Sequence, residues 1–148
     1  LKDAGYFVIG NDVNLFDGCE WESLTPPDIE LIKDIRQLTE KDLEGVDTIM
    51  HLAAISNDPM GDLNANITYS INRDGTIKLA EMAKKAGVER FLFSSSCSIY
   101  GKSDKLDMVE TDPTVPLTAY AISKIECEKA ISQMADTHFT PAFLRNAT

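Results

Sequence analysis

Tyrosine and lysine stand four residues apart in Tyr120-Ala121-Ile122-Ser123-Lys124, a pairing suited to moving a proton. On a helix, positions i and i+4 share a face, so the Tyr120 hydroxyl and Lys124 ammonium can serve one site. A free phenol titrates near pKa ~10 and is a poor base at neutral pH. A cation beside it favours the phenolate and makes the tyrosine a usable acid and base. Upstream lies the run Ser94-Ser95-Ser96-Cys97-Ser98-Ile99-Tyr100-Gly101. A serine hydroxyl at a buried strand end could hydrogen-bond the same substrate oxygen. Tyr-x-x-x-Lys alone is common on surface helices; joined to a serine-rich strand end it is far more specific.

The elements that must position these groups follow from the apolar pattern. Short apolar runs alternate with helical periodicity, which predicts an α/β fold with a parallel sheet. Strands are expected at Tyr6–Gly10, ending at Asn11-Asp12, and at Ile29–Ile32 after the breaker Pro26-Pro27. Further strands are expected at Thr48–Ala53, Arg90–Ser95 and from Pro141 through Arg145. Lys2-Asp3-Ala4-Gly5 reads as a last helical turn capped by Gly5. Thr39-Glu40-Lys41-Asp42 has capping-box spacing and should open a short helix. Leu63 to Ala86 reads as one long helix that holds Gly75 and stops at Gly87. Thr118 should cap a helix running to about Thr137. Residues 97–118, with Pro113 and Pro116, form a loop of a length that is usually functional.

Composition sets the outer bounds. The 148 residues suit one domain or a piece of one. Apolar residues make up 43%, with 8 glycines and 6 prolines, as in a soluble globular chain. The net charge of −10 argues against a nucleic-acid or anionic-membrane partner. Small anionic ligands stay open, because helix termini and a few basic residues suffice to bind them. Cys19, Cys97 and Cys127 are odd in number and lack C-x-x-C spacing, so neither a disulfide framework nor a zinc site is indicated. A reducing cytoplasm is the default. No apolar run is long enough for a membrane-spanning helix. The chain begins at Leu1 rather than Met, which leaves room for an upstream targeting segment.

Several motifs in order resemble the extended short-chain dehydrogenases/reductases, the NAD-dependent epimerase/dehydratase family of nucleotide-sugar enzymes. They are Gly10-Asn11-Asp12, Lys33-Asp34-Ile35-Arg36, His51-Leu52-Ala53-Ala54, Asn72-x-x-Gly75-Thr76, Ser94 to Gly101, Tyr120-x-x-x-Lys124 and Leu144-Arg145. The resemblance implies a Rossmann-like, doubly wound parallel sheet, with residues 1–148 forming part of an NAD-binding domain. It also implies that the first strand with its G-x-G-x-x-G turn precedes Leu1, since no such motif occurs here, and that a substrate domain follows. These residues alone are then expected to be inactive.

By the same resemblance Asp12 accepts the adenosine ribose hydroxyls, and its charge favours NAD over NADP. Asp34 and Ile35 flank the adenine. Leu52, Ala53 and Ala54 lie along the pyrophosphate and ribose. Ser94 sits beside the nicotinamide ribose, and Lys124 bridges that ribose and the Tyr120 oxygen. Ser96, Tyr120 and Lys124 are the implied catalytic set, and Ser98 joins Ser96 and Tyr120 in contacting a nucleotide sugar. The implied reaction is epimerisation through a transient keto-sugar. Dimerisation through the helices around 63–86 and 119–137 is implied as well.

Alternatives remain beside it. Nucleotide-sugar 4,6-dehydratases of this family typically follow the catalytic Thr with Asp-Glu; Cys97 and Ser98 stand there instead, which disfavours dehydration. A reductase that releases its cofactor and a non-catalytic dinucleotide-binding scaffold are the other readings. Many sugar epimerases place Asn three residues after the strand-end Arg; here Thr148 occupies that position and Asn146 is offset by two. Asp12 and Asp34 can also serve simply as turn residues. His51 reads as a satisfied buried histidine rather than a base. Asn72 reads either as a backbone tie or as a contact to catalytic water. Glu20, Glu22, Glu40, Asp42 and Glu44 read as solvated surface. Cys97 reads as a small packing residue in a place open to modification.

Overall fold

Runs rich in β-branched and aromatic residues become parallel strands in both parts of the chain. The computed structural model describes residues 1–19, 21, 25–56, 63–102, 105 and 107–147; Glu20, Glu22 and Thr148 lie outside them. Two compact units result, Leu1–Leu38 and Thr39–Thr148.

In the first unit Gly5 ends a 3₁₀ turn over Lys2–Ala4, at φ 82°. Strand β1, Ile9–Asp12, pairs in parallel with β2, Ile29–Ile32, so that Asp12 stands opposite Ile32. The expected strand at Tyr6 begins three residues late. The Val8 N–H is taken by the Asp28 carboxylate at 2.8 Å, so ladder pairing starts only beyond it.

In the second unit the Asp42 carboxylate accepts from the Thr39 N–H and hydroxyl, both at 2.8 Å. It thereby opens the 3₁₀ turn Glu40–Leu43 and is not idle surface. Strands β3 (Thr48–His51), β4 (Arg90–Ser96) and β5 (Thr140–Asn146) form a parallel sheet in that order. β3 stops at His51, opposite Phe93, and Leu52 to Ala54 run beyond the last pair. The single helix expected from Leu63 is three pieces: α1 Ala65–Thr68, a π-helical turn Tyr69–Gly75, and α2 Thr76–Ala86. Asn72, inside the wide turn, uses its buried carboxamide as a strand surrogate. Its oxygen accepts the Ile55 N–H at 2.8 Å and its NH₂ donates to the Ile55 carbonyl at 2.9 Å. Local widening of this kind re-aims a side chain without ending the helix.

Helix α2 buries Leu79, Ala80, Met82 and Ala83, and β4 buries Phe91 and Phe93 completely. Helix α3, Ala119–Ser132, is capped by the Thr118 hydroxyl on the Ala121 N–H at 3.1 Å. It ends five residues before the expected Thr137. The Asp136 carboxylate captures the His138 and Phe139 N–H groups and turns the chain into β5.

The segment after β4 is more ordered than a loop. Cys97–Tyr100 forms a 3₁₀ turn, Ile99 and Tyr100 pack with Ile125 of α3, and Cys97 packs against that cluster. Gly101 then bends the chain at φ 64°, where a Cβ would lie 2.0 Å from the Val115 carbonyl oxygen. That carbonyl is backbone, and Val115 itself is pinned by its N–H on the Ile99 carbonyl at 3.0 Å. Gly101→Ala therefore combines a left-handed φ with a clash and should cost about 1–3 kcal/mol. Thermal melts and hydrogen exchange should show lower stability and faster exchange at Val115. Wild-type values for both would contradict this account of the bend.

Candidate active site

Lys124 and Tyr120 of α3 meet at the carboxyl end of β4, the strand that Ser96 closes. Lys124, one turn after Tyr120, is buried with 3% of its surface exposed. Its ammonium donates to the Ser94 carbonyl at 2.6 Å. It also lies 4.7 Å from the centre of the Phe93 ring and 5.5 Å from that of the half-buried Tyr120. Burial disfavours the charged form and pulls the Lys124 pKa down to about 8. The amine still carries its proton at neutral pH, and its positive charge sits beside the phenol as the i, i+4 spacing requires.

Ser96 ends β4, and its Oγ accepts the Ser98 N–H at 3.2 Å as the cap of the following turn. The Ser98 Oγ is buried with no hydrogen-bond partner among the described residues. Such an orphaned hydroxyl in a half-buried residue suits a bound polar group. Ser94 offers its carbonyl to Lys124 and its hydroxyl to the Asn146 side chain at 3.0 Å. Asn146, set aside by the sequence pattern as offset, thus lies at the site, opposite Ser96 in the β4–β5 register. Leu52 is exposed, and Ala53 and Ala54 are half-buried, just past the end of β3.

The first unit holds the other candidates at adjacent strand ends. Asp12 closes β1 and accepts the Asn14 N–H at 2.8 Å, while Asn14 adopts φ 54°. Asp34 caps the 3₁₀ turn Ile35–Gln37 and grips the Arg36 guanidinium through two oxygens, at 2.9 and 2.6 Å. The hydrogen bonds from Arg36 hold the Asp34 carboxyl below its ordinary range. Ile35 is buried.

Sequence reasoning missed one group altogether. Glu128, one turn beyond Lys124, is buried and accepts from the Ser95 hydroxyl at 2.5 Å and the Arg145 guanidinium at 2.7 Å. The available signal was its i+4 spacing from Lys124. Cys127 is sealed as a neutral thiol, its pKa pushed up to about 12 by burial, with Sγ on the Asn72 carbonyl. Among the described residues no group of His, Cys, Asp and Glu is arranged to hold a metal, and no helix is long and apolar enough to cross a membrane.

The model of the NAD dependent epimerase/dehydratase family matches residues 1–148, and the chain belongs to that family. It is 34% identical over 101 residues to the UDP-glucose 4-epimerase of Lacticaseibacillus casei, a match covering 68% of this chain and 30% of that enzyme. The solved UDP-glucose 4-epimerase of Thermotoga maritima with UDP-glucose superposes with a TM-score of 0.84 at 27% identity, covering 98% of this chain and 48% of that one. An NAD dependent NDP-hexosamine 5,6-dehydratase of tunicamycin biosynthesis gives a TM-score of 0.84 at 26% identity, again covering 98% and 48%. The chain thus spans about a third of the curated relative and about half of the solved proteins, and its parallel sheets and helices are a Rossmann-like part of that fold.

His51 behaves as the satisfied core residue the sequence suggested. Its Nε2 lies 2.7 Å from the Thr76 hydroxyl, and its ring stacks on Phe93. Burial first, then the Lys124 charge, lowers its pKa to about 4. An unfolded chain binds this proton below about pH 6.5, whereas the folded chain refuses it until about 4. Stability is therefore full above about 6.5 and falls as pH drops towards 4, by about 3 kcal/mol at the limit. Urea melts from pH 7 to 4 should show a steeper loss for the wild type than for His51→Leu. Equal slopes would contradict the neutral, buried His51.

Proposed function

We propose that this chain supplies the cofactor-binding and catalytic part of an NAD-dependent nucleotide-sugar epimerase acting at C4 through a transient keto-sugar. The observation that carries the reading is the buried Lys124 ammonium, fixed to the Ser94 carbonyl and set beside the Tyr120 ring. A solvated helix face has no need to bury a lysine. The likeness to two UDP-glucose 4-epimerases points to the same class of substrate.

The residues present fit NAD. Asp12 offers a carboxylate at a strand end, as ribose hydroxyls require, and repels a 2′-phosphate. Asp34 and Ile35 would border the adenine, with the Asp34 charge already shared with Arg36. Leu52, Ala53 and Ala54 allow close backbone approach to the pyrophosphate. Ser94 and Lys124 would hold the nicotinamide ribose, since an ammonium has three donors and the Ser94 carbonyl accepts from one. Bound NAD supplies a hydride acceptor that serves as the donor in the reverse step.

The chain's own groups handle the proton and the orientation. Tyr120 takes the proton from the sugar hydroxyl and later returns it. Lys124 stabilises the phenolate that accepts this proton and that is regenerated when the proton is returned. Ser96 hydrogen-bonds the carbonyl oxygen of the keto-sugar, and the Ser98 hydroxyl binds a further sugar oxygen. Cys97 and Ser98 bring no carboxylate, so elimination of water lacks its additional acid and base. Cytoplasmic location and a homodimer belong to the same reading.

The test uses the full-length protein. Tyr120→Phe should keep its bound NAD and lose at least about 10²-fold in turnover of a nucleotide sugar, the size of a general acid–base contribution. Turnover should need no net oxidant. Unchanged turnover in Tyr120→Phe would remove Tyr120 from the mechanism. Steady consumption of reduced nicotinamide with a keto substrate would favour the reductase instead.

A further inference from the structure

We propose that Glu128 and Arg145 are positioning residues that set the register of α3 against β4 and fasten residues 97–101 and 109–112 beside the site. The proposal rests on the epimerase reading above, because it assigns a role in that reaction.

The Lys124–Ser94 hydrogen bond is one point of attachment, and a helix tied at one point can slide or roll on a sheet. Glu128 supplies a second point one turn further along α3. Its Oε1 accepts the Ser95 hydroxyl at 2.5 Å, on the residue between the Lys124 anchor and Ser96. Two ties on consecutive residues of β4, from consecutive turns of α3, fix translation and rotation together.

Arg145 extends the lock to a third and a fourth element. It sits on β5 opposite Ser95 and meets both Glu128 oxygens, Nε at 3.1 and 3.2 Å and Nη2 at 2.7 Å. Its Nη1 donates to the Tyr100 hydroxyl at 2.9 Å and to the Glu110 carbonyl at 2.8 Å. The Tyr100 hydroxyl in turn donates to the Val109 carbonyl at 3.1 Å. The planar guanidinium satisfies these acceptors from one rigid fork, which a lysine cannot imitate. The turn carrying Ser98 is thereby held to the helix that carries Tyr120 and Lys124 and to the strand that ends at Ser96. Stability alone does not account for an ion pair whose carboxylate is buried and whose guanidinium is half-buried, since apolar replacements of similar volume are often neutral or better. Precision does account for it, since displacement of a reacting group by about 1 Å can cost about 10²-fold in rate.

The test compares the full-length protein with the double variant Glu128→Leu/Arg145→Met, which removes both charges at once. The double variant should melt within a few degrees of wild type and keep its NAD. Its kcat with UDP-glucose or UDP-N-acetylglucosamine should fall at least about 10-fold, and amides of residues 97–101 and 109–112 should exchange faster. A folded double variant with wild-type kcat, or with unchanged exchange in those residues, overturns the proposal. Should the double variant fail to fold, Tyr100→Phe keeps the ring and deletes only the bridging hydroxyl. It should lower kcat severalfold and speed exchange at 109–112, and no change in either overturns the proposal. Absence of turnover in the wild type counts against the epimerase reading instead, and exchange then judges the anchoring by itself.

Discussion

A lysine buried to 3% exposure is the constraint around which the second unit is organised. Taking a lysine out of water is unfavourable unless its charge meets acceptors, and here the surroundings are one carbonyl and two aromatic faces. The result is a cation that keeps its proton at neutral pH yet is held more loosely than in water. Phe93 thus has two functions on its two neighbours, stacking on His51 and facing Lys124. His51 must stay neutral so that no second positive charge enters the same core, and its bond to Thr76 lets it do so.

The secondary structure serves that constraint. The strand β4 presents Ser94, Ser95 and Ser96 in succession, so that a carbonyl, a buried hydroxyl and a strand-end hydroxyl go to three different partners. The π-helical turn at Tyr69–Gly75 brings Asn72 to the backbone of Ile55, beyond Leu52 to Ala54. The same residue's carbonyl receives the Cys127 thiol from α3. Backbone past the last strand pair of β3 is therefore organised from the helix layer rather than by the sheet.

Much of this was legible in the sequence, for physical reasons that differ by element. Parallel strands announce themselves as short apolar runs, and β2 is found at its predicted limits. Gly5 and Gly87 mark helix ends because both require positive φ. Tyr120 and Lys124 were readable because helical spacing fixes which side chains share a face. Boundaries failed where side chains outside the pattern intervened: Asp28 delayed β1, Asp136 cut α3 short, and Asn72 widened the long helix. Glu128 escaped notice because a lone glutamate on a helix reads as solvated surface. Only tertiary contact with Ser95 and Arg145, residues on two other strands, reveals its burial. Asn146 received no role from the sequence for a related reason, since its reach to Ser94 depends on strand register.

The central claim is that Lys124 is a buried cation of weakened basicity beneath the tyrosine. Lysine-specific NMR titration of the protein, with Lys124→Met to assign the signal, tests it most directly. The account predicts one ammonium that loses its proton near pH 8, well below the ordinary lysine value of ~10.4. A Lys124 midpoint at the ordinary lysine value would show a solvated side chain and contradict the account.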